Sequence, residues 1–185
     1  NTLLITSGDT PVALAGIMGG DASKIEDDTD SLLLESATFD GVCVRKTSSR
    51  IGLRTDASMR YEKMLDPELC ATASARFIYL LTKNDPGARV VSRFSDCYVR
   101  HYPRITLDFD KKYVDRYTGI DIPSDTIEKT LTGLGFGIKR SGDSFSVTVP
   151  TWRATKDVTI KADIIEEITR IYGYDNFEIF TSVSP

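Results

Sequence analysis

An α+β chain of two small modules is what this sequence predicts, and three observations carry that reading. Short apolar runs broken by Gly, Pro and Asp read as strands. Apolar residues at helical spacing follow residues able to cap helices, and the pattern restarts at Arg100-His101-Tyr102-Pro103. With 185 residues, 41% hydrophobic and 27% charged, the chain suits one ordinary domain or two small ones and has the apolar content to bury a core. Disorder, collagen and coiled coil are excluded. The modules are expected over residues 1–99 and 100–180, with no internal repeat.

The first module opens on a hairpin. Residues 3–6 are a short apolar run, Ser7-Gly8-Asp9-Thr10-Pro11 has turn chemistry, and residues 12–15 form a second run that stops at Gly16. Because the chain begins directly on a strand, partners for that strand are expected upstream, as in a fragment. An acidic, polar stretch then leads to Leu32-Leu33-Leu34-Glu35-Ser36-Ala37-Thr38-Phe39, which reads as a buried strand carrying one carboxylate inward. A helix is expected after Asp40, through Val42, Val44 and Lys46. Another opens at Asp66-Pro67-Glu68, where a capping acid, a proline at the first helical position and an acidic first turn coincide. It carries Ala73, Phe77, Ile78, Leu80 and Leu81 at helical spacing and ends at Asn84-Asp85-Pro86-Gly87. Residues 88–99 read as a strand.

In the second module, residues 105–109 are a strand, and Asp110 caps a short helix ending near Gly119. Ser124 is expected to cap the next, whose apolar face is Ile127, Leu131 and Leu134. Residues 136–140 and 145–149 alternate as a hairpin around Ser141-Gly142-Asp143, and a last helix runs over 158–172 to Gly173.

Charge and composition restrict function. No apolar run approaches the roughly 18–20 residues needed to span a bilayer, and the opening residues lack the basic lead of a signal peptide. Three widely spaced cysteines, Cys43, Cys70 and Cys97, suit neither a disulfide framework nor a zinc site, so a reducing cytoplasmic location is expected. The net charge of −4, with both signs scattered, is unlike a protein living by phosphate contacts alone. Any contact with nucleic acid is therefore local or shared.

Few residues can carry chemistry. The single histidine, His101, falls at the module junction and reads as a surface or hinge residue, which removes nucleophilic triads. Gly16-Ile17-Met18-Gly19-Gly20 has neither dinucleotide nor P-loop spacing. It is either a turn or a place where a ligand approaches the backbone closely. Glu35, sunk among leucines, is costly to bury unless a neighbouring group or a ligand satisfies it. On the last helix Asp163, Glu166 and Glu167 stand at i, i+3 and i+4 on one face, with Asp157 at the helix start. That set either holds a hard cation such as Mg²⁺ or is a solvated acidic face paired with Lys161 and Arg170.

In order and spacing, four stretches resemble the beta chain of bacterial phenylalanine-tRNA ligase. They are Ala15-Gly16-Ile17-Met18-Gly19-Gly20, then Leu34-Glu35-Ser36-Ala37-Thr38-Phe39, then Gly52-Leu53-Arg54-Thr55-Asp56-Ala57-Ser58-Met59-Arg60-Tyr61-Glu62. The fourth is Val149-Pro150-Thr151-Trp152-Arg153 followed by Asp163-Ile164-Ile165-Glu166-Glu167-Ile168-Thr169-Arg170-Ile171-Tyr172-Gly173-Tyr174. The resemblance covers nearly the whole chain.

The resemblance implies that residues 1–99 are the C-terminal part of a tRNA-editing module with a mixed β-sheet. Residues 100–180 would be a small α+β module whose fold resembles DNA-binding domains. It implies hydrolysis of tyrosine wrongly attached to tRNA(Phe), with Glu35 accepting a hydrogen bond from the tyrosine hydroxyl. Gly19, Thr55 and Ala57 would line the pocket as small residues, and no general base is identified. A pocket histidine of the family lies upstream of residue 1. The alpha chain, in a heterotetramer of two alpha and two beta, would hold the ATP and synthetic site and share a magnesium ion with Asp157, Asp163, Glu166 and Glu167. One departure concerns Asp157: the family more often has Arg-x-Asp, whereas three residues separate Arg153 from Asp157 here. The alternative of a different class is a noncatalytic module docking the alpha chain and tRNA, its editing pocket inactive.

Overall fold

A computed structural model describes residues 2–99 and 101–178. The chain divides into two compact units between Val99 and Arg100.

In the first unit, Gly8 at φ +59° turns strand β1 (Leu4–Ser7) back into β2 (Thr10–Leu14), with Leu4 opposite Leu14 and Ser7 opposite Thr10. A third strand, β3 (Met18–Gly19), pairs antiparallel with β2, giving the order β1-β2-β3. Two residues carry no periodicity, so β3 was invisible in the sequence. The mixed sheet expected here is antiparallel throughout among the described residues.

Residues 32–39 correct a larger expectation: they form no strand, and Leu33 is 95% exposed with Leu32 and Glu35 also exposed. An apolar run becomes a strand only where a sheet edge is free to take its backbone hydrogen bonds, and none is reached here. Side chains hold the end of the segment instead. The Ser36 hydroxyl donates to the Cys70 carbonyl at 2.9 Å, and the Phe39 ring packs against Tyr61 at 5.1 Å between centroids.

Helix α1 (Gly41–Ile51) begins where Asp40 accepts a hydrogen bond from the Cys43 N–H at 2.7 Å. Helix α2 (Asp56–Tyr61), not expected from the sequence, is capped by Thr55, whose hydroxyl accepts from the Ser58 N–H while Ser58 accepts from the Thr55 N–H. Helix α3 (Leu69–Asn84) starts later than Asp66-Pro67; Asp66 closes the preceding turn by accepting from the Glu68 N–H. Its Phe77, Tyr79 and Leu80 are exposed, and residues 88–99 form no strand, contrary to expectation. The buried apolar side chains of this unit, among the described residues, are Ala15, Ile17 and Val44.

The second unit has the fuller core. Strands β4 (Thr106–Asp110), β5 (Gly137–Ser141) and β6 (Ser144–Thr148) form an antiparallel sheet of order β4-β6-β5, with Phe109 opposite Phe145 and Ile138 opposite Val147. On this face pack α4 (Lys111–Thr118), α5 (Ser124–Gly133) and α7 (Lys161–Tyr172), placing Val114, Ile127, Leu131, Ile164 and Ile168 against Phe145 and Val147. Asp110 caps α4 by accepting from the Tyr113 N–H, as expected. Ser124 does not cap α5. It is the first helical residue, and its hydroxyl donates to the Asp143 carboxylate at 2.8 Å, tying α5 to the hairpin turn. The last helix begins at Lys161, because the Asp163 carboxylate takes the N–H groups of Thr159 and Ile160 as a cap would; a four-residue helix, α6 (Thr151–Ala154), precedes it.

Candidate functional site

The glycine segment and α2 are held together by one hydrogen bond. Thr55 accepts from Ser58 and, with its own proton, donates to the Ile17 carbonyl at 2.6 Å. A threonine read from sequence as merely small thus clamps residues 15–19 to the start of α2. Ala57 follows on the same helix, half-buried. Gly16 explains the tightness of this junction. Its φ is +68°, and a Cβ there would meet Phe39 Cδ2 at 3.0 Å and Tyr61 Cγ at 3.2 Å. Gly19 differs: nothing lies within 4 Å of its would-be Cβ, and it is exposed. It lines a shallow apolar depression of about 270 Å³ with Leu4, Pro11, Val12, Leu14 and Met18.

Glu35 is not the inward-pointing carboxylate the sequence suggested. It is exposed in area, yet enough protein surrounds the carboxyl for desolvation to raise it above its ordinary pKa. Its negative charge is felt at Tyr61. That phenol is raised chiefly by burial, then by Glu35 and Cys70. Glu35 therefore belongs to the Phe39–Tyr61 corner beside Gly16, while the depression that holds Gly19 is lined by neither Glu35, Thr55 nor Ala57. Tyr61 was missed in the sequence; its place at the end of the Arg60-Tyr61-Glu62 stretch was the available signal. His101 is exposed, in keeping with a surface residue.

In the second unit the acidic set disperses. Glu166 is exposed, whereas the Glu167 side chain is only 7% exposed and lies between two guanidiniums. Arg153 Nη2 donates to Glu167 Oε1 at 2.6 Å and Nη1 to Oε2 at 3.3 Å, while Arg170 Nη2 donates to Oε2 at 2.6 Å. Arg153 Nε also pairs with Asp157. These contacts hold the Glu167 carboxyl below its ordinary pKa, Arg153 being the largest influence. The N–H groups of Thr159 and Ile160 do the same for Asp163.

Magnesium asks for several oxygen ligands in near-octahedral array. Both Glu167 oxygens face guanidinium nitrogens, Asp157 pairs with the same Arg153, and Asp163 is spent on backbone donors. The donor set does not fit the ion. Among the described residues no group of three or more His, Cys, Asp or Glu is placed to hold a metal. The i, i+3, i+4 spacing was read correctly as helical, but it does not make the three side chains converge.

Comparison with known proteins defines the class. Residues 1–85 match the B3/4 domain and residues 107–174 the tRNA synthetase B5 domain. It is 39% identical over 186 aligned positions to the phenylalanine–tRNA ligase beta subunit of Clostridium tetani, covering 100% of this chain and 23% of that protein. To the beta subunit of Solibacter usitatus it is 42% identical over 177 positions, and to that of Staphylococcus saprophyticus 39% over 179, each covering 95% of this chain. Over nearly its whole length the chain is therefore similar to phenylalanine–tRNA ligase beta subunits, and it spans about a quarter of the length of these relatives.

Proposed function

We propose that this chain supplies part of the editing site and a scaffold module of a phenylalanine–tRNA ligase, hydrolysing tyrosine misattached to tRNA(Phe). A synthetic pocket for phenylalanine cannot strongly reject an analogue that only adds a hydroxyl, so a second site that requires the hydroxyl is needed. Glu35 is the residue for that test. A partly desolvated carboxylate accepts a phenolic O–H, and a phenylalanine ring leaves it unpaired at about 1–3 kcal/mol, or roughly 5- to 150-fold in discrimination.

The single observation that carries this reading is the Thr55–Ile17 bond. It joins the glycine segment to α2, whose far end brings Tyr61 into the electrostatic reach of Glu35. In this reading Gly19, Thr55 and Ala57 flank the aminoacyl ester as small residues, although the depression beside Gly19 is lined by neither of the other two. No side chain here serves as a general base, so the chain's part is to position ester and water, with the terminal hydroxyls of the tRNA assisting.

Attachment of phenylalanine, with its ATP and magnesium, belongs to the alpha chain in this reading, in a heterotetramer of two alpha and two beta chains in the cytoplasm. No helix among the described residues is long and apolar enough to cross a membrane. The three-stranded sheet with helices on one face is read as a DNA-binding-like fold used for scaffolding.

The test is deacylation by the full-length ligase. Glu35→Ala should slow hydrolysis of tyrosyl-tRNA(Phe) at least tenfold with little change in phenylalanine attachment, because it removes a hydrogen bond to a charged group (about 1.5–3 kcal/mol). Unchanged hydrolysis would overturn the role of Glu35. It would favour a noncatalytic docking module, a reading to which the exposure of Glu35 lends support.

A further inference from the structure

We propose that Arg153 is the resident cation of the acidic group on α7: a guanidinium clamp that stands where a divalent ion would have to sit and pins the segment before α7 onto that helix. The geometry is unusually committed for one side chain. Arg153 lies in α6, and its carbonyl accepts from both the Asp157 and Val158 N–H groups, so its backbone closes the turn leading to Val158, a residue buried in the core. Its side chain then reaches across this turn. Nη1 and Nη2 form a fork on Glu167 while Nε holds Asp157, so three guanidinium nitrogens bind two carboxylates separated by ten positions in sequence.

The two ion-paired carboxylates are matched in charge without a metal. Arg153 and Arg170 stand against Asp157 and Glu167, two positive against two negative. Asp163 is held as a carboxylate by two backbone N–H groups, and Glu166 faces solvent and can be served by water. A divalent ion entering this set would be placed against a guanidinium already 2.6 Å from Glu167, and it could bind only by expelling Arg153. Planar, always charged and weakly hydrated, arginine suits a carboxylate that is almost fully buried better than a strongly hydrated magnesium ion does. This inference is independent of the editing reading, because hydrolysis of tyrosyl-tRNA neither enters it nor decides it.

The experiment uses the full-length ligase, stripped of metal and loaded with Fe²⁺, with ascorbate and peroxide added to cut backbone next to bound iron; cleavage is mapped by mass spectrometry. Wild type should show no iron-dependent cleavage over residues 153–170. Cleavage there that excess Mg²⁺ suppresses, and that Asp163→Asn abolishes, would overturn the proposal. Amide exchange over residues 161–170 gives the second readout. Arg153→Met should speed exchange about tenfold or more, the cost of leaving a buried carboxylate short of a partner. Millimolar Mg²⁺ should restore protection in Arg153→Met and leave wild type unchanged. Equal exchange in Arg153→Met and wild type, or slowing of wild-type exchange by Mg²⁺, would refute the clamp. Should Arg153→Met not fold, the iron map of wild type still decides.

Discussion

Replacing Gly16 by alanine should loosen the whole corner around Tyr61, and the structure sets the size of the effect. Two costs add. At φ +68° an L-residue pays about 1–2 kcal/mol for the left-handed backbone. The new methyl group would also stand 3.0 Å from Phe39 Cδ2, 3.2 Å from Tyr61 Cγ and 3.2 Å from Val44 Cγ2, an overpacking worth about 1–3 kcal/mol. Val44 is one of the few buried apolar residues of this unit, so it has little room to yield. The total is about 2–5 kcal/mol, or at least roughly 30-fold in a local opening equilibrium. Hydrogen exchange on the full-length ligase reads it directly, through peptides covering 15–19 and 55–61. Gly19→Ala is the internal control: its Cβ meets nothing within 4 Å, so exchange should stay within about twofold of wild type. If Gly16→Ala exchanges like Gly19→Ala, the packing of Gly16 against Phe39 and Tyr61 is not what holds this junction.

Thr55→Val should remove both the α2 cap and the bond to Ile17, lowering local stability by about 1–3 kcal/mol, while Thr55→Ser should recover most of it; equal exchange protection in all three would refute the clamp role. The second unit should loosen in acid. The folded-state pKa values of Glu167 and Asp163 lie below their unfolded values, so their stabilisation is present above the ordinary carboxylate pKa and is lost as pH falls through the folded values. Glu167→Gln should therefore flatten the acid limb of an exchange profile over residues 161–170, and a profile as steep as wild type would contradict the assignment. Together with the deacylation of Glu35→Ala and the iron map around Arg153, these outcomes test each unit by itself.

Local rules made much of the second unit legible. Asp110, Gly119, the alternation of residues 136–149 and the apolar spacing of Ile127 and Leu131 each specify their element through near neighbours. Where an element needs a distant partner, sequence pattern misled. The run at 32–39 has the apolarity of a strand but no sheet edge to pair with, so its leucines are exposed. The spacing of Asp163, Glu166 and Glu167 describes a helix correctly. Nothing in it tells that a guanidinium from α6 arrives at Glu167 and none at Glu166.

The amino-acid order alone determined the α+β class, the caps of α1 and α4, the ends of α3, α4 and α7, and the resemblance to the phenylalanine–tRNA ligase beta chain, because those depend on residue type and on separations along the chain. Only the tertiary structure decided the surroundings of each charge. Glu35 lies near the surface beside a half-buried tyrosine, Thr55 is a clamp, and Arg153 joins Asp157 to Glu167. Coulomb energy and desolvation fall off with distance in space, and residues separated by many positions in sequence acquire that distance only when the chain packs.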